Sequence, residues 1–453
     1  MFHVKMSDLE RKKAISNKSR PVARASLSGS KSFSNMLTST PSKEKKDSSS
    51  EEIKQPTILS KNRETVSDES TLNFRGIPKE NDASLGVASR ENPGTPFLKY
   101  MKQSIKLIDD GIINTEHLQD YLQENNNFLV IGVIGGQGVG KSTLLNMLTE
   151  TELTEKYKQK LFKLQSEALL KSENDVTIPV QYLEDTYLND DLIFKAETIG
   201  NVVNCTNATE GIDIYVSADR VIFLDCQPIL SVGTLVNLLE NNNKRKNLGS
   251  DFIPPENCGE IRGLQYASFL MAVCHILMVV QEWFFDSNVI RFIHTAERLK
   301  PTISNSTEDE FSEHFPHLVM VHNRAQMSDF TPKQVRAVQK TYEMLFNSSK
   351  LQFHSDLGLA TGGIMNTLDL DNCGNRVNLF IIPDYNESGD GIYSGHPPLE
   401  YLVKKLRANL FGATKKILTR EQLTEKTWLF HCKKAWDMIK TNPDFVQYSK
   451  LMP

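Results

Sequence analysis

The run Gly135-Gly136-Gln137-Gly138-Val139-Gly140-Lys141-Ser142 constrains this chain more than any other segment. It fits the phosphate-loop (P-loop) pattern G-x-x-x-x-G-K-[ST]. An apolar run from Phe128 to Ile134 precedes it and reads as a buried strand. The residues from Ser142 to Thr149 follow, with Leu144, Leu145 and Leu148 on one helical face. In a strand, glycine turn and helix of this order, backbone N–H groups can turn inward around a phosphate without Cβ clashes. Gly135, Gln137, Gly138, Val139, Gly140, Lys141, Ser142 and Thr143 are therefore expected to surround the phosphates of a purine nucleoside di- or triphosphate, GDP/GTP or ADP/ATP. Lys141 would reach the outer phosphates, Ser142 would ligate Mg²⁺, and the helix N-terminus would add its positive dipole.

With 453 residues, 39% of them hydrophobic, the chain can bury a sizeable core. A net charge of −4 argues against a general polyanion binder, so no direct sequence-specific nucleic-acid binding is expected. Cys205, Cys226, Cys258, Cys274, Cys373 and Cys432 show no C-x-x-C spacing, which suits buried thiols in a reducing compartment. No apolar signal core is found near Met1, and the longest apolar run, Phe269 to Val280, is too short to span a bilayer. A soluble, cytoplasmic protein without membrane attachment is the expectation.

Residues 1–95 read as a disordered Ser/Lys-rich tail; over 1–90 there are about 17 basic and 11 acidic residues, roughly +6 net. Residues 96–126 read as a leading helical segment, because Phe97, Met101, Ile105 and Ile108 recur at helical spacing, and Leu118, Tyr121 and Leu122 suggest a further turn. Residues 127–415 read as a G-like P-loop domain of alternating strands and helices, and 416–453 as a C-terminal helix and tail. Ile212 to Val216 and Val221 to Asp225 form an expected antiparallel hairpin. Further strands are expected at His275 to Gln281, Leu318 to His322 and Leu379 to Pro383. Polar stretches around 152–195, 238–262 and 350–377 read as surface insertions. The fold class expected is α/β: a P-loop NTPase of G-domain type, its mostly parallel sheet covered by helices on both faces. Leu429, Cys432, Trp436 and Ile439 mark an apolar helical face expected to pack back on the domain.

Beyond the loop, Val221 to Asp225 is an apolar strand ending in a carboxylate, suited to hold a Mg²⁺-bound water opposite Ser142. Thr209, in Thr209-Glu210-Gly211-Ile212-Asp213, is the candidate to complete the Mg²⁺ shell, with Thr206 as a competitor. A signalling GTPase would continue D-x-x-G, whose Gly N–H senses the γ-phosphate. Here the residues are Asp225-Cys226-Gln227-Pro228, and proline has no N–H. Guanine is read elsewhere by N-K-x-D; this chain has Asn323-Arg324-Ala325-Gln326. Asn323 can support the loop, the Arg324 stem can cover a purine, and the neutral Gln326 amide can face either base.

Thr209 to Val216, then Arg220 to Leu230, resemble the family of the ninth "smg" factor of nonsense-mediated mRNA decay. Ala272-Val273-Cys274-His275, Val280-Gln281-Glu282-Trp283-Phe284 and Phe315-Pro316-His317-Leu318 fit it too, and the resemblance runs over roughly 97–440. It implies the G-like-domain subunit of a phosphatidylinositol-3-kinase-like kinase complex, heterodimeric with the eighth "smg" factor, and restraint of that kinase. Together with the P-loop and with Pro228 in place of the sensing glycine, it leads to the expectation of a nucleotide-binding regulatory or scaffold subunit without turnover, in decay of mRNAs with premature stop codons. That kinase prefers Ser or Thr followed by Gln, and no Gln here follows either residue, so the chain reads as a regulator rather than a favoured substrate. Two other readings stay open: an active large GTPase of the membrane-remodelling type, and an ATP-dependent enzyme with an ordinary Walker pair.

Overall fold

In the computed structural model the apolar runs form β1 (Ile105–Asp109), β2 (Ile112–Ile113), β3 (Leu129–Gly135), β4 (Ile212–Val216), β5 (Val221–Cys226), β6 (Ile276–Gln281), β7 (His317–Ala325) and β8 (Leu379–Pro383). They join in one sheet of order β2-β1-β4-β5-β3-β6-β7-β8. The pairs β5–β3, β3–β6, β6–β7 and β7–β8 are parallel, and β2–β1, β1–β4 and β4–β5 antiparallel. Every residue of β3, β5, β6 and β8 is buried, so these strands are covered on both sides. The chain divides into two units, Met1–Ser89 and Arg90–Pro453. The structure describes residues 99–452 apart from 171–191, 246–253, 283–284, 302–312, 362–363, 366, 369–376 and 386–395. The expected tail at 1–95 lies outside the described residues, as do Trp283, Phe284 and Cys373.

The covering helices are α1 (Lys141–Thr149), α2 (Glu155–Leu170), α3 (Ile199–Val203), α4 (Val232–Arg245), α5 (Pro255–Val273), α6 (Ser287–Leu299), α7 (Pro332–Phe346), α8 (Leu399–Phe411), α9 (Glu425–Thr441) and α10 (Pro443–Leu451). One group centres on α5, which packs on β3 and against α4, α6, α9 and α10; α1 packs on β3 and β5 together with α8. Among the described residues no helix is long and apolar enough to cross a membrane. Cys205, Cys226, Cys258, Cys274 and Cys432 form no disulfide among the described residues.

Three expectations are corrected. Residues 105–113 are not helical but form the edge pair β1–β2, with Ile105 opposite Ile214 and Lys106 opposite Asp213. The i, i+3 spacing of Ile105 and Ile108 fits a helix and a bulged strand alike, and pairing with β4 decides between them. Of the stretch around 238–262, read as a surface insertion, residues 238–245 end α4 and 255–262 open α5, with Pro255 in its first turn, while 246–253 lie outside the described residues. In the stretch around 350–377, also read as a surface insertion, the described residues Leu351, Phe353, Leu357 and Leu359 belong to the core. Buried Asn378 stitches it down, donating to the carbonyls of Leu318 and Gln352 and accepting from the N–H groups of Ser355 and Leu357.

The C-terminal helix packs back, as its apolar face requires. Trp436 stacks on Tyr266 of α5 with ring centroids 5.4 Å apart, and Trp428 Nε1 donates to Val273 O at 3.0 Å. At the start of α9, Glu425 is fully buried and every bond it can accept is used. Gln123 N donates at 2.8 Å, Asn125 Nδ2 at 3.0 Å and Arg220 Nε at 2.7 Å, and Arg220 Nη2 completes a two-pronged ion pair. Arg220 lies in the β4–β5 turn with φ 58°, so this one carboxylate ties helix, hairpin and the segment before β3 together. Glu425→Ala leaves the half-buried Arg220 guanidinium with only the Tyr121 carbonyl to bond and is expected to cost about 3–5 kcal/mol. Urea unfolding of the two proteins measures it, and a loss under about 1 kcal/mol would show that the tie is dispensable.

Candidate functional site

The glycine turn leaves the C-terminal end of β3 at the place where the chain passes from β5, on one side of β3, to β6 on the other. Such a reversal opens a crevice beyond the strand ends of an α/β sheet. Gly138 and Gly140 take left-handed backbone, φ 75° and 87°. A Cβ on Gly140 would stand 2.5 Å from Asn323 Nδ2, which donates to Val139 O at 2.9 Å and props the turn from β7. Gly140 caps α1 without a side-chain bond, so the first N–H groups of that helix have no cap and face the turn. Lys141 is buried and folds back to donate to Gly136 O at 2.8 Å; burial lowers its pKa against the opposing pull of Asp225. Thr143 is half-buried in the first turn of α1.

Three oxygen side chains from three segments meet beside Lys141. Ser142 Oγ donates to Asp225 Oδ2 at 2.6 Å, Thr209 Oγ1 donates to the same oxygen at 3.1 Å, and the two hydroxyls are 3.5 Å apart. Asp225 is fully buried, and among the described residues its Oδ1 has no hydrogen-bond partner. Burial pushes its pKa up to about 6, over the opposing effects of Lys141 and the Ser142 hydroxyl; nearby Asp213 pushes the same way. Asp213 pairs with Asp225 across β4 and β5, and Lys106 Nζ answers it at 2.8 Å. Among the described residues no three His, Cys, Asp or Glu side chains gather as a metal cluster. The set here is instead two hydroxyls and a carboxylate with one oxygen unused, which fits a small hard cation that keeps most of its waters. Thr206, the alternative to Thr209, lies elsewhere: its hydroxyl accepts from Asn201 Nδ2 at 3.1 Å.

The strand-end residues divide. Asn323 reaches the turn because β7 shifts register between His322 and Ala325 and Arg324 takes φ 54°. Arg324 turns to Glu282, Nη1 to Oε1 3.1 Å. Gln326 is exposed and caps the short 3₁₀ turn Met327–Phe330, its N–H donating to Asp329 Oδ2 at 2.8 Å.

Sequence reasoning missed a hub and a clamp. Gln137 Nε2 donates to Glu197 Oε1 at 2.8 Å and Thr206 O at 3.2 Å, and its Oε1 accepts from Ser231 Oγ at 2.9 Å. Gln227 is buried and locked to Gly211: its N–H donates to Gly211 O at 2.8 Å and its Oε1 accepts from Gly211 N at 2.9 Å. No local pattern signals Glu197 or Ser231. The Gln227 pairing shows only once the ends of the hairpin strands are side by side.

No protein-family model matches the chain. It is 32% identical over 377 residues to the nonsense-mediated mRNA decay factor SMG9 of Xenopus laevis, covering 78% of this chain and 67% of the relative. The factor of the same name from Salmo salar is 31% identical over 376 residues, with 78% and 68% covered. The chain belongs to the SMG9 family of nonsense-mediated mRNA decay factors. The family reaches further, to Drosophila melanogaster Protein SMG9, 26% identical over 325 residues with 71% of this chain and 55% of the relative covered.

In this family member Asp225 makes stability depend on pH. Its folded pKa of about 6 lies above the model-compound value of 3.8, so between those values the folded state holds more of the proton. Its contribution is full below about pH 4, falls as pH rises, and is gone above about pH 6, a swing on the order of 3 kcal/mol. Asp225→Asn is expected to flatten that slope and to be the more stable protein at pH 7.5 without ligand. Denaturant melts from pH 4 to 7.5 check this; an unchanged slope in the variant would assign it to another group.

Proposed function

We propose that the chain is a nucleotide-binding regulatory or scaffold subunit of nonsense-mediated mRNA decay, built on a G-like P-loop domain that does not turn nucleotide over by itself. The observation that carries the reading is the meeting of Ser142, Thr209 and Asp225 beside Lys141, under a glycine turn at the sheet's point of reversal. The turn's N–H groups and the start of α1 would hold the phosphates of GDP/GTP or ADP/ATP, with Lys141 leaving Gly136 O for the outer phosphate. Ser142 and Thr209 would face Mg²⁺ directly and Asp225 through its unused oxygen. A bound Mg²⁺-nucleotide supplies the charge that Asp225 and Lys141 otherwise balance between themselves. Asn323 props the turn, while the exposed Gln326, a neutral amide, fits weak discrimination between guanine and adenine.

The case against turnover rests on two residues. Pro228 has no N–H for a γ-phosphate. Gln227, beside the position of a water-orienting glutamine, spends both its N–H and its Oε1 on Gly211. An active large GTPase of the membrane-remodelling type would need that group free. The partners proposed are the eighth "smg" factor, as a heterodimer, and the phosphatidylinositol-3-kinase-like decay kinase, in the cytoplasm. What supports this reading is the resemblance of the Thr209–Leu230 segment, and the chain's place in a family of decay factors is consistent with it. Size-exclusion chromatography of the two co-expressed factors tests the heterodimer, and separate elution would refute it.

Two outcomes test the nucleotide reading. Lys141→Ala removes a charge-assisted phosphate contact and is expected to weaken binding of GDP, GTP, ADP or ATP by about tenfold or more in calorimetry. Undiminished binding would move the phosphates elsewhere. Single-turnover assays with GTP and ATP on the pure chain are expected to run no faster than roughly 10⁻³ s⁻¹, the pace of an unassisted small GTPase. Several turnovers per minute, abolished by Ser142→Ala, would make the chain an enzyme.

A further inference from the structure

The segment that follows Asp225 builds a second surface. Pro228, Leu230, Val232 and Leu235 line one side of a groove of about 270 Å³, with Pro255 at the start of α5 on the other. Leu230 and Val232 are 48% and 61% exposed, so the apolar wall of the groove faces solvent. Leu230 also has φ at 50°, a conformation disfavoured for a residue with a side chain and kept only where the surroundings impose it. The rim carries Glu256 and Glu260. A neighbouring cavity of about 200 Å³ shares Thr234 with the groove and adds Asp109, Asp110 and Glu210. Its only basic lining residue, Arg262, lies 3.3 Å from Asp110 and is partly neutralised there.

We propose that this face docks a partner protein through an amphipathic segment that sets large aliphatic side chains in the groove and Lys or Arg side chains against the acidic rim. The apolar wall alone would accept many occupants, and the charge selects among them. A second copy of this chain, meeting the face through a two-fold axis, would bring Glu256 and Glu260 against themselves. A basic, aliphatic segment of a different protein satisfies both features at once.

The face is also wired to the glycine turn. Ile229 N donates to Gly135 O at 3.1 Å and Ser231 Oγ to Gln137 Oε1 at 2.9 Å, so the residues on either side of Leu230 hang from the turn. A ligand that rearranges the turn shifts Leu230 and Val232, and docking feeds back on that ligand by the same factor. This coupling rests on the nucleotide reading above; the docking itself does not.

Fluorescence anisotropy with the purified full chain tests both parts. The probe is a labelled 16-residue synthetic peptide of Leu and Lys in a helical amphipathic pattern, compared with Leu/Glu and Ser/Lys peptides of the same layout. The Leu/Lys peptide is expected to bind best and to lose roughly tenfold or more in affinity with Val232→Asp, an exposed position that leaves the core intact. Paired Glu256→Lys and Glu260→Lys changes are expected to shift preference to the Leu/Glu peptide. Equal binding of Leu/Lys and Leu/Glu peptides to the parent, or unchanged affinity in Val232→Asp with native circular dichroism, would overturn the docking site. Sedimentation showing a dimer of the chain that Val232→Asp dissolves would overturn it in favour of self-association. Saturating Mg²⁺-GDP is expected to change peptide affinity at least about threefold. An unchanged affinity with nucleotide demonstrably bound would refute the coupling, whereas no nucleotide binding would refute the earlier reading and leave the docking result standing.

Discussion

A carboxylate sealed at the end of β5 sets the terms for the rest of the structure. Asp225 has no exposed surface, and a buried charge is tolerated only when groups of fixed position answer it. Those groups come from separate parts of the chain: Ser142 from the first turn of α1, Thr209 from the loop before β4, and Lys141 through space. The glycine turn, the Thr209 loop and the β4–β5 hairpin must therefore be in place together. The demand spreads outward, because Asp213 stands opposite Asp225 and is itself nearly buried. Lys106 answers Asp213 and also donates to Glu210 O. The edge strand β1 is thus more than a border to the sheet: it carries the cation that lets two carboxylates stand side by side.

How much of this could be read from the chain depends on whether a signal is local. β3, the glycine turn and α1 are contiguous, and their residue types follow from one geometric need, so the spacing alone located them. The β4–β5 hairpin was equally legible, its strands being short, apolar and joined by a four-residue polar turn. Ser142, Thr209 and Asp225 were nameable because each sits at a fixed offset from one of these units. The misreadings share a different cause. Ile105 and Ile108 satisfy two periods at once, and the deciding partner, β4, lies about a hundred residues away. Leu351, Phe353, Leu357 and Leu359 fall at alternate positions yet belong to no named strand; their segment is pinned by Asn378, which bonds to four backbone groups of segments it does not adjoin. Glu425 carries no local signal, because its partners Arg220, Gln123 and Asn125 lie far away in sequence.

The Gln227–Gly211 clamp bears on what kind of switch this fold can be. In a domain that signals by nucleotide state, the loop carrying the metal-binding threonine is free without the γ-phosphate and ordered with it. Here Gly211, two residues beyond Thr209, is held through both its N–H and its carbonyl by Gln227, and Thr209 already bonds to Asp225. The loop is ordered by the chain's own groups. A ligand shifts an equilibrium only by the difference in its affinity for the two states, and a loop fixed beforehand offers little difference between a diphosphate and a triphosphate. The more adjustable contacts lie on the other side of the turn, where the Gln137 side chain spans Glu197, Thr206 and Ser231. Phosphates entering the turn bring negative charge toward Glu197, which stands close enough that a Cβ on Gly138 would lie 3.3 Å from its Oε2. On the proposed reading, then, this site distinguishes bound from empty rather than triphosphate from diphosphate. Gln137 and Ser231, not the Thr209 loop, carry that difference to the surface.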